Sequence, residues 1–70
     1  MLDMTTQDLA LSQRQHDRIE EVAAQLARLN AAIRAAVDEG LSVELHRSER
    51  HHCGTGCWGD VMRPVIVKCN

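Results

Sequence analysis

From Ile19 onward the apolar positions fall into a regular series. Ile19, Val22, Leu26, Leu29, Ile33 and Ala36 are separated by alternating steps of three and four residues, the spacing that lines up one face of an α-helix. In heptad terms Ile19, Leu26 and Ile33 occupy a, Val22, Leu29 and Ala36 occupy d, and Ala23 and Val37 widen the stripe to e. A stripe this wide suits a helix lying on a sheet or within a bundle. A coiled-coil dimer would show a narrower seam with charged e and g positions, which here hold mostly Ala, Asn, Gln and Val. The helix is expected over 12–39. Ser12-Gln13-Arg14-Gln15 has the form of a capping box at its start, and Gly40 stands where a left-handed residue would end it. Thr5-Thr6-Gln7-Asp8 offers an earlier start. Leu2, Met4, Leu9 and Leu11 are cut off from the stripe by a polar run, so residues 1–11 are expected to form a flexible arm and 12–70 a single small domain.

Beyond Gly40 the period changes. Leu41, Val43 and Leu45 alternate with Ser42, Glu44 and His46, the two-residue repeat of a half-buried strand, which can run on through His52. Three glycines among residues 53–60 mark a turn, and Val65-Ile66-Val67 reads as a returning strand. Pro64 has no N–H to donate, so it belongs at a strand start or on an edge. The expected fold class is α+β: a long helix packed on a C-terminal antiparallel hairpin (αββ). A 28-residue helix would span about 42 Å and an eight-residue strand about 27 Å, so one hairpin cannot cover the helix. Its own edges would also stay unpaired. Both mismatches point to a homodimer, or to a sheet completed by another protein.

Composition sharpens this expectation. The chain of 70 residues has no Phe or Tyr and a single Trp, and much of its hydrophobic content is alanine, which buries little area per residue. Chains of this size are marginal alone and usually gain stability from a metal, a disulfide or a partner. Ile19, Val22, Leu26, Leu29, Ile33 and Val37 are therefore the expected core or dimer residues. The net charge of −2 argues against nucleic acid as a default ligand. The first 41 residues carry four Arg against seven acids, and the remainder four basic residues against three acids, a small asymmetry. No stretch is long and apolar enough to cross a bilayer, and Met1-Leu2-Asp3-Met4 lacks the form of a signal peptide. With three cysteines, an odd number, a reducing cytoplasm is the expected location.

Leu29-Asn30-Ala31-Ala32-Ile33-Arg34-Ala35-Ala36-Val37, Gly40-Leu41-Ser42-Val43-Glu44-Leu45 and Arg63-Pro64-Val65-Ile66-Val67 together resemble short uncharacterised proteins of bacteria and their phages. In those a helix ends in a Gly-Leu turn, leads into a strand, and is followed by a strand with a Pro-Val run. The resemblance covers about half the chain and implies a phage or prophage accessory protein acting on something larger, such as a host defence complex. It implies no catalytic residues.

The sharpest local chemistry is His51-His52-Cys53-Gly54-Thr55-Gly56-Cys57. Thiolates and imidazoles are the ligands of structural zinc, and a glycine-rich turn lets two thiolates converge. Cys53, Cys57, His51 and His52 form one candidate set, with Cys69 or His46 as a further ligand. Two free thiols, or a disulfide after oxidation, are the competing states. Cys53 with His51 could make a nucleophile and base, but no third group or pocket is evident, so no enzyme is expected. Gly54, Gly56 and Gly59 lead into a strand and offer no helix N-terminus for a phosphate. Arg47, Arg50, Arg63 and Lys68 near Trp58 could form a basic, partly aromatic surface for phosphates, or a solvated face whose arginines pair with Glu44 and Glu49. The expected function is a small non-catalytic interaction protein without a cofactor, using Trp58, Arg47, Arg50 and Arg63 to meet another protein. The alternatives are a zinc-stabilised binding module and, third, a nucleic-acid binder.

Overall fold

The computed structural model describes residues 10–70. Leu2, Met4, Leu9 and the Thr5-Thr6 start therefore lie outside the described residues, as does most of the expected arm. The elements are α1 (Gln13–Asp38), β1 (Leu41–His52) and β2 (Trp58–Lys68), the helix-then-hairpin order of an α+β chain. The described residues divide into two compact units, with the boundary between Ala32 and Ile33.

In the first unit the capping box forms at Ser12. Its Oγ accepts from the Gln15 N–H at 3.1 Å, and the Gln15 Oε1 accepts from the Ser12 N–H at 2.7 Å. Two N–H groups that the first turn leaves without helical partners are thus satisfied reciprocally. On the polar face Gln13 donates to Asp17 and Arg18 pairs with Glu21, ordinary i,i+4 and i,i+3 surface pairs. The apolar stripe is present as a face but is not covered. Val22 is 67% exposed and Leu26 50%, with Leu29 also exposed, while Ile19 and Ala23 are half-buried.

In the second unit the last turn of α1 tightens. The N–H groups of Glu39 and Gly40 donate to the carbonyls of Ala36 and Val37, both at 3.0 Å. Gly40 then takes φ +91°, the left-handed conformation that costs a glycine least, and the chain reverses into β1. The Cys69 N–H donates to the Gly40 carbonyl at 2.8 Å, so the antiparallel ladder begins at the glycine itself. Along β1, Leu41, Val43 and Leu45 are half-buried while Ser42 and Glu44 are exposed, as the alternation predicts; His46, the third polar position, departs from it and is half-buried. β2 is longer than the Val65–Val67 run suggests, because Trp58, Gly59 and Asp60 belong to the strand and the turn narrows to 53–57.

Two features of the ladder matter for function. Partners run from Leu41↔Lys68 to Arg47↔Met62, then from Glu49↔Val61 to His52↔Trp58, with a bulge between Arg47 and Glu49. Ser48 is the extra residue, and its hydroxyl donates to the Val61 carbonyl at 3.0 Å. Second, antiparallel pairs alternate between hydrogen-bonded and non-hydrogen-bonded. Counting in twos from the Cys69–Gly40 bond, the Leu45↔Pro64 pair is non-hydrogen-bonded. Pro64 therefore sits inside β2 at no cost to the hairpin, and the N–H it lacks is one that would have pointed outward.

No described side chain is buried, hydrophobic or polar. Of the expected core or dimer residues, Ile19 is half-buried and Val22, Leu26 and Leu29 are exposed. Ile33 is half-buried and Val37 is 52% exposed. Within each unit the physical reason lies in composition: an alanine-rich helix, or a two-stranded sheet, offers too little apolar bulk by itself to enclose a side chain from all sides.

A Cβ at Gly40 would stand 3.3 Å from Asn70 atoms and on a backbone at positive φ. Gly40→Ala is expected to destabilise by about 1–2 kcal/mol. Gly59→Ala, with nothing within 4 Å, should shift stability by less than about 0.5 kcal/mol. Urea unfolding followed by circular dichroism compares the two.

Candidate functional site

The tip half of the hairpin carries the side chains with chemistry, and the bulge decides which of them meet. Strict alternation from Arg47 would put Arg50 on the opposite face. With Ser48 as the extra residue, Arg47 and Arg50 share one face with Asp60 and Trp58. Asp60 Oδ1 lies 3.1 Å from Arg50 Nε and 3.7 Å from Arg47 Nη1. The Arg50 guanidinium carbon sits 4.1 Å from the centre of the Trp58 ring, cation–π geometry that contributes about 0.5–1 kcal/mol when exposed. Trp58 remains 59% exposed. The arginines thus pair with Asp60, not with Glu44 and Glu49 as the sequence suggested. Glu44 instead hydrogen-bonds His46. Arg63, opposite His46 in the register, lies on the other face, apart from Arg47, Arg50 and Trp58. Sequence spacing gave no sign of Asp60 as the shared partner, because that pairing depends on the register.

At the end of the ladder, the Cys53 N–H donates to the Cys57 carbonyl at 3.1 Å, and Gly54 and Gly56 take φ +90° and +100°. These two left-handed residues fold the loop so that its N–H groups turn inward. Cys53 Sγ accepts from the Thr55 N–H and the Cys57 N–H, both at 3.3 Å, and lies 2.9 Å from Thr55 Oγ1. Donors aimed at a sulfur favour its thiolate. The Thr55 hydroxyl, its N–H and the Cys57 N–H together bring the Cys53 pKa down to about 7. The Cys57 thiol is pushed up, first through its hydrogen bond to Cys53 and then by that neighbour's charge. The loop therefore holds one thiol poised to ionise and one held protonated.

Of the four residues considered for zinc, three come together. His51, Cys53 and Cys57 line a shallow open depression at the tip. His52 pairs with Trp58 in the register, and adjacent strand residues point to opposite faces, so the two histidines are turned apart. Cys69 is at the far end of the ladder, its Sγ 2.8 Å from Ser42 Oγ. Eleven register pairs separate it from the loop, about 30 Å or more at the usual strand rise. Among the described residues no group of three or more His, Cys, Asp or Glu side chains is arranged to hold a metal ion.

Comparison with protein families, curated proteins and solved structures finds no match to this chain. The likeness to phage accessory proteins therefore rests on the sequence pattern alone. No described helix is long and apolar enough to cross a membrane.

The thiol asymmetry is measurable. Alkylation of Cys53 by iodoacetamide should rise through a midpoint near pH 7, because the reactive thiolate accumulates as pH climbs past its pKa. Cys57 should lag to higher pH. Thr55→Val removes the hydroxyl and should move the Cys53 midpoint upward, read by mass spectrometry of the alkylated peptides.

Proposed function

We propose that this chain is a non-catalytic protein-interaction protein that completes its core against another chain, in the first instance a second copy of itself. One observation carries this reading: no described side chain is buried, while Val22, Leu26, Leu29, Val37, Trp58, Met62, Ile66 and Val67 stand exposed. Exposed apolar area on this scale marks an association surface in a small protein, and a chain this short has little else to stabilise it.

The sheet edges suggest how a partner adds. Pro64 deprives the outer edge of β2 of a donor at its centre. The first half of β1, Leu41–Arg47, contains no proline and ends at the bulge. Its outward-facing N–H groups, at the non-hydrogen-bonded positions Leu41, Val43, Leu45 and Arg47, are free to pair with an added strand. The tip supports a protein ligand over nucleic acid, since Asp60 offsets the charge of Arg47 and Arg50 and leaves an aromatic–guanidinium surface of the kind enriched in protein interfaces.

Sedimentation velocity on the full chain tests the proposal. A concentration-dependent dimer is expected. Val43→Pro removes one outward N–H without touching the hairpin's own ladder, and should shift the protein to monomer while the strand signal persists. Leu26→Glu should weaken association and lower helix content together. A monomer at every concentration, unfolding cooperatively at a concentration-independent temperature, would sink the proposal.

A further inference from the structure

We propose that Cys53 and Cys57 are a two-thiol redox site that reacts with low-molecular-weight disulfides of the glutathione class and closes a cross-strand disulfide at the hairpin tip. His52↔Trp58 is the last pair of the ladder, and the Cys53 N–H bond to the Cys57 carbonyl carries the same register one step further. The two cysteines thus face each other across the loop, one step beyond the ladder, joined by a single backbone hydrogen bond. Residues facing each other across an antiparallel hairpin have Cα atoms about 4.5–5.5 Å apart, inside the range of about 4.4–6.8 Å that a disulfide spans. Cys53 Sγ is already turned toward its partner, since the Cys57 N–H donates to it. Both thiols are exposed. The intervening Gly54 and Gly56 have open space around them, so the loop can adjust to the bond without a clash. Cys69 shares none of this: it is at the other end of the ladder beside Ser42.

The order of events follows from the donors. Cys53, whose sulfur accepts from two N–H groups and lies beside Thr55 Oγ1, reacts as thiolate. It attacks one sulfur of the disulfide RSSR; the S–S bond breaks, Cys53 becomes the mixed disulfide Cys53–S–S–R, and RS⁻ leaves and takes up a proton. Cys57 then gives its proton to solvent and attacks Cys53 Sγ. The Cys53–SR bond breaks, the second RS⁻ leaves and is protonated, and the Cys53–Cys57 bond forms. The protein loses two electrons and two protons, and RSSR gains them as two RSH. The chain is the reduced partner in each exchange, and a dithiol returns it to its starting state. Closure would pin the loop beside Trp58, coupling thiol state to the tip face.

The test uses the full chain carrying Cys69→Ser, equilibrated in glutathione buffers of stepped oxidised-to-reduced ratio, acid-quenched and weighed intact. Expected is a loss of two hydrogen atoms per chain, mapped by peptide digestion to Cys53–Cys57. Adding Cys57→Ser should trap a glutathione adduct on Cys53. Adding Cys53→Ser instead should slow adduct formation at Cys57 roughly tenfold near neutral pH. Thiols that stay reduced at every ratio, disulfide-linked dimers in place of the internal bond, or equal adduct rates in the two single-thiol variants would each overturn the site as described. None of these readings depends on the oligomeric state, so the redox site and the interaction surface stand or fall separately.

Discussion

The antiparallel pairing of β1 with β2 is the constraint on which the second unit depends, because its register assigns every side chain a face and a partner. It begins at the Cys69–Gly40 bond, which the left-handed glycine makes possible, and ends at Cys53 opposite Cys57. Between them a single extra residue, Ser48, resets the pairing. Without that residue's displacement the ladder would treat Arg47 and Arg50 as members of opposite faces. With it, both arginines reach Asp60 and one stacks on Trp58. The same register places Pro64 where its missing N–H costs nothing internally and disables one outer edge, so the two edges of the sheet are not equivalent.

Energetically the chain is held by backbone ladders and caps more than by a core. Helix and hairpin satisfy their own N–H and C=O groups, but that exchange with water contributes only modestly per bond. The hydrophobic term that normally offsets chain entropy is weak when no described side chain is buried. The exposed ion pairs add little, about 0–1 kcal/mol each. In the proposed association a second chain would supply the missing apolar burial, and association and folding would then be linked.

The loop at 53–57 has a different character from the strands it joins. Its two left-handed glycines gather N–H donors around one sulfur, so the backbone does electrostatic work on a thiol that solvent can still reach. The asymmetry between Cys53 and Cys57 comes first from the hydrogen bonds that the loop aims at Cys53, and both thiols are exposed. The exposed neighbour Trp58 connects this chemistry to the arginine face.

What the sequence determined by itself was local. The three-and-four spacing from Ile19 to Ala36 fixed the helix. Ser12 and Gln15 fixed its cap, Gly40 its end, and the Leu41–Leu45 alternation the first strand. Each of these depends on neighbours within a few residues, where chain geometry alone limits the choices. Tertiary structure decided the rest. The bulge at Ser48, the full length of β2, the sharing of Asp60, the separation of Arg63 and His52 from their expected groups, and the opposition of Cys53 to Cys57 are relations between residues distant along the chain. Register is a non-local quantity, and one inserted residue changes it without leaving a mark in the hydrophobic pattern. The exposure of the stripe was equally beyond the pattern, because periodicity names the face a helix would bury and only packing shows whether the chain contains enough apolar surface to bury it.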